Sequence, residues 1–222
     1  VQIPAEEQRR HAAKPGTGSP DAAAHAMLFG LVAGLFLMPL LAAAGWLPGW
    51  LPNAVTVATL IAGSLALRRQ GRLGWAVAVA MLLAAAAQGV PGPTPDWVMA
   101  GGLALLGAAL LRGVLAPGRV TGARIEGAVA LYLLVALLFA HLYEGLESAL
   151  PGSFAGPIGE DGSLRYLSLI VQTSTGLGDI VPAGAVARTL VTLQALTGQI
   201  FIAVLLARLV SLEIASRRDQ DG

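Results

Sequence analysis

Long apolar runs broken by short polar stretches organise this chain. A helix rising 1.5 Å per residue needs about 20 apolar residues to cross the hydrocarbon of a bilayer. Six runs approach that length: Ala24–Ala44, Leu51–Leu67, Leu73–Val90, Trp97–Leu115, Gly127–Ser148 and Ala187–Ile214. The second has the shortest charge-free core, beginning at Ala54, and a re-entrant segment is the alternative for it. Between the fifth and sixth runs lies Leu164–Val171, which is too short to span. After it comes a polar, glycine-rich strip, "QTSTGLGDIVP", from Gln172 to Pro182.

The polar breaks differ in charge. Arg9, Arg10 and Lys14 precede the first run. Arg68, Arg69 and Arg72 separate the second from the third; Arg112, Arg119 and Arg124 separate the fourth from the fifth. Arg208, Arg217 and Arg218 close the sixth. The alternate breaks, "GWLPGWLPN", "QGVPGPTPDW" and "EGLESALPGSFAGPIGEDGS", hold no Lys or Arg. Cytoplasmic loops concentrate Lys and Arg. Six crossings with both termini in the cytoplasm satisfy every loop, whereas deleting the second would put "RRQGRLG" outside. Trp46, Trp50 and Trp97 fit an outer interfacial belt.

Composition narrows the class. The 222 residues are 55% hydrophobic and 12% charged, with a mean hydropathy of +0.71. Soluble domains carry roughly 25% charged residues, so the expectation is a multi-pass protein of the cell membrane. A net charge of +1 and no basic face argue against nucleic acid as a partner. The absence of cysteine excludes a disulfide framework and thiolate metal ligation. The first twenty residues are polar and lack the apolar core of a secretory signal, so residues 1–23 are expected to form a cytoplasmic arm. The first residue is Val1, not Met, so the natural start is expected upstream. With the sequence ending at Gly222, a cytoplasmic ligand-binding domain is not expected.

Gly30 and Gly34 form a small-xxx-small pair that permits close helix approach, although an Ala- and Gly-rich chain produces such pairs by chance as well. No internal repeat is evident, which disfavours a secondary transporter. No Ser-His-Asp set, HExxH or phosphate loop is present, so an enzyme is not expected.

The strip after Leu164–Val171 carries the chemistry. A short helix is expected from Ser163, acting as N-cap after "GEDG", to about Thr173. The chain then returns outward through "STGLGD". Non-helical backbone at membrane depth is tolerated only where it is buried in protein or lines water. Gly176 and Gly178 alternate with residues bearing side chains, and glycine accepts positive φ without steric cost. That alternation lets successive carbonyls face one side and replace the water shell of a cation. One strip cannot enclose an ion, so four identical chains around an axis are expected.

"TSTGLGDIVP", with Arg188 and Gly198 in the following helix, resembles the pore region of potassium channels and their "TTVGYGDxxP" signature. The resemblance covers Ala128–Ile214. It implies an all-α membrane fold of six transmembrane helices plus a re-entrant pore helix and filter loop, in a tetramer of identical subunits. It implies an arm at 1–23, a four-helix peripheral domain at 24–116, a linker at 117–126, a pore domain at 127–214 and a tail at 215–222. Potassium would be the permeant ion, with no other cofactor or metal, and membrane lipid the remaining partner. Ser174, Thr175, Gly176, Leu177 and Gly178 stand at the filter positions and Asp179 at the outer mouth. Leu177 replaces an aromatic whose phenol is tied to the pore helix in the family, and here the pore helix offers Tyr166 as support. A nonselective monovalent cation channel of the same architecture is therefore the alternative. Gly198 stands at the hinge of the inner helix. Gln199, Ile202 and Leu206 stand on its lining face, and Val210 and Ile214 at a gate. Gln199 suits either a wet cavity or an interhelical hydrogen bond. Arg112 alone occupies the fourth run, where voltage-gated relatives repeat arginine, so it reads as a snorkelling residue. His141, Glu144 and Glu147 share a face at the outer end of the fifth run. A metal or proton site is one reading of them. The other has Glu144 or Glu147 bracing the filter loop through backbone amides or facing outer water, and Glu144 is the residue assigned to filter support.

Overall fold

The computed structural model describes residues 20–48, 51–67, 72–87, 92–116, 122–158 and 162–218. Helix α1 begins as Pro20–Val32, widens into a π-helical stretch at Ala33–Leu37 and resumes as Met38–Ala43. Pro39 accounts for the widening. It has no N–H to give the carbonyl four residues back, and its ring crowds that carbonyl. The remaining helices are α2 (Leu51–Leu67), α3 (Arg72–Ala87), α4 (Thr94–Leu115), α5 (Gly122–Ala149), α6 (Ser163–Gln172) and α7 (Ala185–Arg218). Two short strands, β1 (Phe154–Ala155) and β2 (Val181–Pro182), pair antiparallel with Phe154 opposite Pro182 and Ala155 opposite Val181.

Several boundaries differ from the hydropathy reading. α1 starts at Pro20, inside the expected arm. Residues 122–126 of the expected linker belong to α5, and residues 215–218 of the expected tail belong to α7. Helices continue past the apolar run because polar residues in the last turns reach water, and hydropathy does not register that. Residues 1–19, which include Arg9, Arg10 and Lys14, lie outside the described residues, as do residues 49–50, which include Trp50, and residues 68–71, 88–91, 117–121, 159–161 and 219–222.

Among the described residues, four helices are long and apolar enough to cross a membrane: His25–Ala43, Thr94–Leu115, Arg124–Ala149 and Ala185–Leu205. Ala54–Ser64 and Trp75–Ala87 are shorter apolar helices. The protein is thus an all-helical membrane protein apart from its two-residue ladder.

Two apolar cores share α5. One face of α5, with Ala130, Leu134 and Leu137, packs with Leu31 of α1, Leu60 of α2, Met81 of α3 and Met99, Leu103 and Leu106 of α4. The spacing of four then three residues in α4 and α5 is that of one helical stripe. Further along α5, Phe139, Tyr143 and Leu146 pack with Phe154, with Leu164, Leu167 and Ile170 of α6, and with Ile180 and Ala187. α5 is therefore the wall between a peripheral bundle and the segment that carries the glycine-rich strip. Arg112 is exposed in the last turn of α4.

The two glycines of α1 face α2 closely. A Cβ added at Gly30 would lie 2.5 Å from Thr59 Oγ1, and one at Gly34 would lie 2.5 Å from Thr56 Oγ1. The small-xxx-small pair is a packing surface here, not a product of composition. Gly34→Ala should therefore destabilise the protein by about 1–3 kcal/mol through overpacking, although alanine is the better helix former by about 1 kcal/mol. Thermal unfolding in detergent checks this. The same change made on a Thr56→Ala background should cost measurably less, and a higher Tm for Gly34→Ala alone would show that the contact is not tight.

Candidate functional site

The site begins at α6. Gly162, in a left-handed conformation with φ 84°, occupies the N-cap and no side chain caps the helix. Ser163, expected as the cap, is the first helical residue, and its hydroxyl donates to the Ile158 carbonyl at 3.0 Å. A left-handed cap suits glycine because it lacks a Cβ. α6 buries Leu164, Leu167, Ser168, Ile170 and Gln172, one face at helical spacing. At its far end every carbonyl of the last turn has a protein donor. Thr173 N–H donates to Leu169 O at 3.0 Å, and Ser174 N–H to Val171 O at 3.0 Å. Thr175 and Gly176 N–H both donate to Ile170 O, at 2.8 and 3.2 Å. The Tyr132 hydroxyl donates to Gln172 O at 2.8 Å.

The strip that follows has no helix or strand from Thr175 to Gly178. Its φ angles alternate in sign: Ser174 (58°), Gly176 (52°) and Gly178 (78°) are positive, while Thr175 and Leu177 are not. Positive φ was anticipated at the two glycines; Ser174 extends the alternation by one residue without glycine's freedom. Its hydroxyl accepts a hydrogen bond from Gln199 Nε2 of α7. Residues 173–179 are all exposed on the single chain, and Leu177 retains 66% of its surface. Leu177 therefore does not pack into its own chain's core.

Behind the strip lies a buried polar knot. Gln194 of α7 is fully buried, and its Nε2 lies 2.7 Å from Ser168 Oγ, 3.1 Å from Ser168 O and 3.1 Å from Gln172 Oε1. Its carbonyl oxygen accepts the Tyr143 hydroxyl of α5. Ser168 Oγ donates to the Ala136 carbonyl at 2.6 Å. Gln172 Nε2 also reaches Tyr132 O, at 3.4 Å. Three helices are thereby held in one register around the end of α6.

The outer end of the strip is clamped by the loop after α5. Glu147 accepts two backbone N–H groups, Gly152 at 2.7 Å and Phe154 at 3.0 Å. Strand β1 then pairs with β2, just beyond Asp179. Gly156, at φ 125°, lies against the Asp179 peptide, and a Cβ there would also sit 3.0 Å from Ile180 Cα. The Ser153 carbonyl accepts Ala183 N–H at 2.8 Å and Gly184 N–H at 3.1 Å. The Asp179 carboxylate lies near enough to the Tyr166 phenol to act on it electrostatically. Assigning filter support to Glu144 is corrected by this geometry. Glu144 Oε2 sits 3.2 Å from His141 Nδ1, while Glu147 takes the amides. One helical turn separates the two acids, and the loop returns over the later one.

On α7, Gly198 is buried, and a Cβ there would strike the Gln172 carbonyl. The helix is continuous across it, so close approach to α6 is what this glycine provides. Ile202 is 40% exposed. Leu206, Val210 and Ile214 continue α7, and their side chains lie outside the described residues. Nearer the end of α7, Arg208 Nη2 donates to the Ala116 carbonyl at 3.1 Å, and Arg124 Nη1 of α5 donates to the same oxygen at 3.0 Å.

The roles of Ser168, Gln172 and Gln194 were missed from sequence, as was Gly156, whereas Glu147 was one of the two acids read as bracing the loop through amides. A signal existed for three of them: Ser168 and Gln172 are polar residues four apart in an apolar half-helix, and Gln194 is polar within an apolar run.

Comparison with known proteins matches part of this chain. Residues 157–214 match a family model described as an ion channel. The inward rectifier potassium channel Kirbac3.1 of Paramagnetospirillum magnetotacticum is 37% identical over 78 residues, covering 33% of this chain and 24% of that relative. The chain thus spans about a quarter of the length of the curated relative that it matches. No solved structure matches.

The polar knot makes a stability prediction. Gln194→Leu leaves Gln172 and Tyr143 short of partners in an apolar interior, at about 1–3 kcal/mol per stranded group. Unfolding in detergent should show that loss. Combined with Tyr143→Phe, the cost should fall short of the sum of the two single changes, because both remove the same bond. Full additivity would mean that the two side chains are not coupled.

Proposed function

We propose, from a chain whose residues 157–214 carry a pore segment of the potassium-channel superfamily, that it forms a homotetrameric channel conducting potassium passively through a carbonyl-lined filter. The observation behind this reading is the strip at 174–179, which is non-helical, alternating in φ and exposed on one chain between two membrane-length helices. The bilayer core leaves no room for such backbone facing lipid. Three further copies would complete a wall in which Ser174, Thr175, Gly176, Leu177 and Gly178 present carbonyls to a dehydrated ion. In this reading Asp179 sits at the outer mouth, near Tyr166. Gln199 fixes the inner end through Ser174, while Ile202, Leu206, Val210 and Ile214 line the cavity and gate. Six crossings with both termini in the cytoplasm, lipid as the surrounding partner and no catalytic activity complete the proposal. One exposed arginine in α4 provides few charges to move in the field, where each would gain about 2.3 kcal/mol per 100 mV.

A second reading, a nonselective monovalent cation channel, has one specific support. Leu177 has no hydroxyl to tie the strip to a pore helix, and it does not pack into its own chain's core.

Reversal potentials of the purified protein in planar bilayers under opposed potassium and sodium gradients test both readings. Values following the potassium gradient support the first, and values near zero support the second. No cation current at all from folded protein would overturn both.

Gly178→Ala should abolish conduction or its ion preference. A side chain at φ 78° is strained by about 1–2 kcal/mol, and four copies act on one ring. Retained current with unchanged preference would show that this strip is not the filter. Native mass measurement of the same variant should still give the tetramer.

A further inference from the structure

The junction of α4 and α5 holds a cluster outside the permeation strip. Asp96 lies in the first turn of α4, while His141 and Glu144 lie one turn apart on α5. Gly145 makes the junction close: a Cβ there would sit 3.1 Å from Trp97 Cε2 and 3.3 Å from Asp96 Cβ. With no side chain at 145, the start of α4 lies directly on α5, and Asp96 comes within reach of a histidine 45 residues away. His141 Nδ1 is 3.0 Å from Asp96 Oδ1 and 3.2 Å from Glu144 Oε2. One donor atom from each residue falls in a group whose members all lie within 4.8 Å of one another.

The arrangement is poorly matched by hydrogen bonding alone. Nδ1 carries at most one proton, so it serves one carboxylate well and leaves the other beside a like charge. The side chains are only partly covered, at 14% exposure for His141, 23% for Asp96 and 27% for Glu144. A solvated ion therefore has access. Glu147, the next acid on this face, is occupied by two backbone amides.

We propose that Asp96, His141 and Glu144 form a divalent transition-metal site, with zinc as its best-fitting ion, that fastens the peripheral helix α4 to α5. A dication offsets two carboxylates beside a neutral imidazole. Zinc binds imidazole nitrogen and carboxylate oxygen at about 2.0–2.2 Å, with ligands arranged tetrahedrally. Neighbouring ligand atoms then lie roughly 3.3–3.6 Å apart, a few tenths of an ångström wider than the two distances present. Side-chain rotation at a partly exposed junction supplies that difference. Water takes the fourth position. Calcium and magnesium favour all-oxygen ligand sets of six or more, so the imidazole selects against them. The metal-bound imidazole is the tautomer with its proton on Nε2, leaving Nδ1 free to coordinate. Sequence reasoning could group His141 with the acids of its own helix, but had no means of bringing Asp96 to them.

The test is a titration of the purified full chain, stripped of metal by chelator, with cobalt(II) and zinc(II). It reads binding without conduction, so its outcome is separate from that of the channel proposal. The expected result is saturable uptake of one ion per chain, with a visible cobalt spectrum of tetrahedral type that zinc displaces and excess magnesium or calcium does not. Asp96→Asn and Glu144→Gln, which keep size and hydrogen bonding, should each weaken zinc binding by at least about the tenfold that loss of an outer-shell partner costs. Zinc should raise the Tm of the natural chain by mass action and raise that of the variants less. If one variant fails to fold, the other and the cobalt spectrum of the natural chain decide. No tetrahedral cobalt signal, or equal zinc affinity in the natural chain and either folded variant, overturns the site and leaves a metal-free histidine–carboxylate cluster.

Discussion

Everything around the glycine-rich strip follows from one constraint: the peptide groups left over where a short helix ends among apolar neighbours must find partners. α6 stops after ten residues, and a helix that ends inside the bilayer would strand four carbonyls. Here none is stranded. The returning chain supplies N–H groups from Thr173, Ser174, Thr175 and Gly176, and Tyr132 supplies a hydroxyl from α5. The left-handed turn at Ser174 makes that return possible, because the chain must reverse within two residues to bring residues 175 and 176 back onto Ile170. The knot centred on Gln194 then fixes where the reversal occurs by holding Ser168 and Gln172 from the opposite side. At the other end, Gly156 and the two-residue ladder press on the Asp179–Ile180 peptide. The strip is held at both ends and open along its middle, which suits a surface completed by other copies of the chain.

How much of this could be read beforehand depended on the range of the interaction. The strip was legible because its signal is local: glycines two apart, a polar run between apolar ones and an aspartate that closes it. Apolar length placed the helices well but not their ends, as the start of α5 at Gly122 shows, because helical caps and first turns are polar. Gly30 and Gly34 gave a pattern that only the facing Thr56 and Thr59 could turn into a contact. The acids of α5 were recognised as a group, and of the two offered as the brace it is Glu147, not the assigned Glu144, that takes the amides. Their partners, Asp96 on one side and the amides of Gly152 and Phe154 on the other, are set by how α4 and the following loop lie on α5. The buried glutamines escaped notice because a polar residue in an apolar run signals a partner without saying where it is. The family-model match covers residues 157–214 and not the first four helices, so the reading of that bundle rests on packing.

That bundle is joined to the strip's framework at two levels. Near the start of α4, Gly145 admits Trp97 and Asp96. Near the start of α5, Glu126 Oε1 lies 2.8 Å from His25 Nε2 of α1. Between them the apolar stripe of α5 fills the bundle's core. The contacts run within one chain, so the first four helices pack against the strip's framework without a second copy.

The shared oxygen of Ala116 gives this attachment a mechanical meaning. A carbonyl at the end of α4 accepts one guanidinium from α5 and another from α7. Hydrogen bonds to charged groups stabilise by about 1.5–3 kcal/mol each. A displacement of α7 at Arg208 must either drag the tip of α4 along or give up a bond of that size. The first four helices thus load α7 through α4. The Ala116 carbonyl ties the end of α4 to α7 directly, in addition to the apolar packing of α4 on α5.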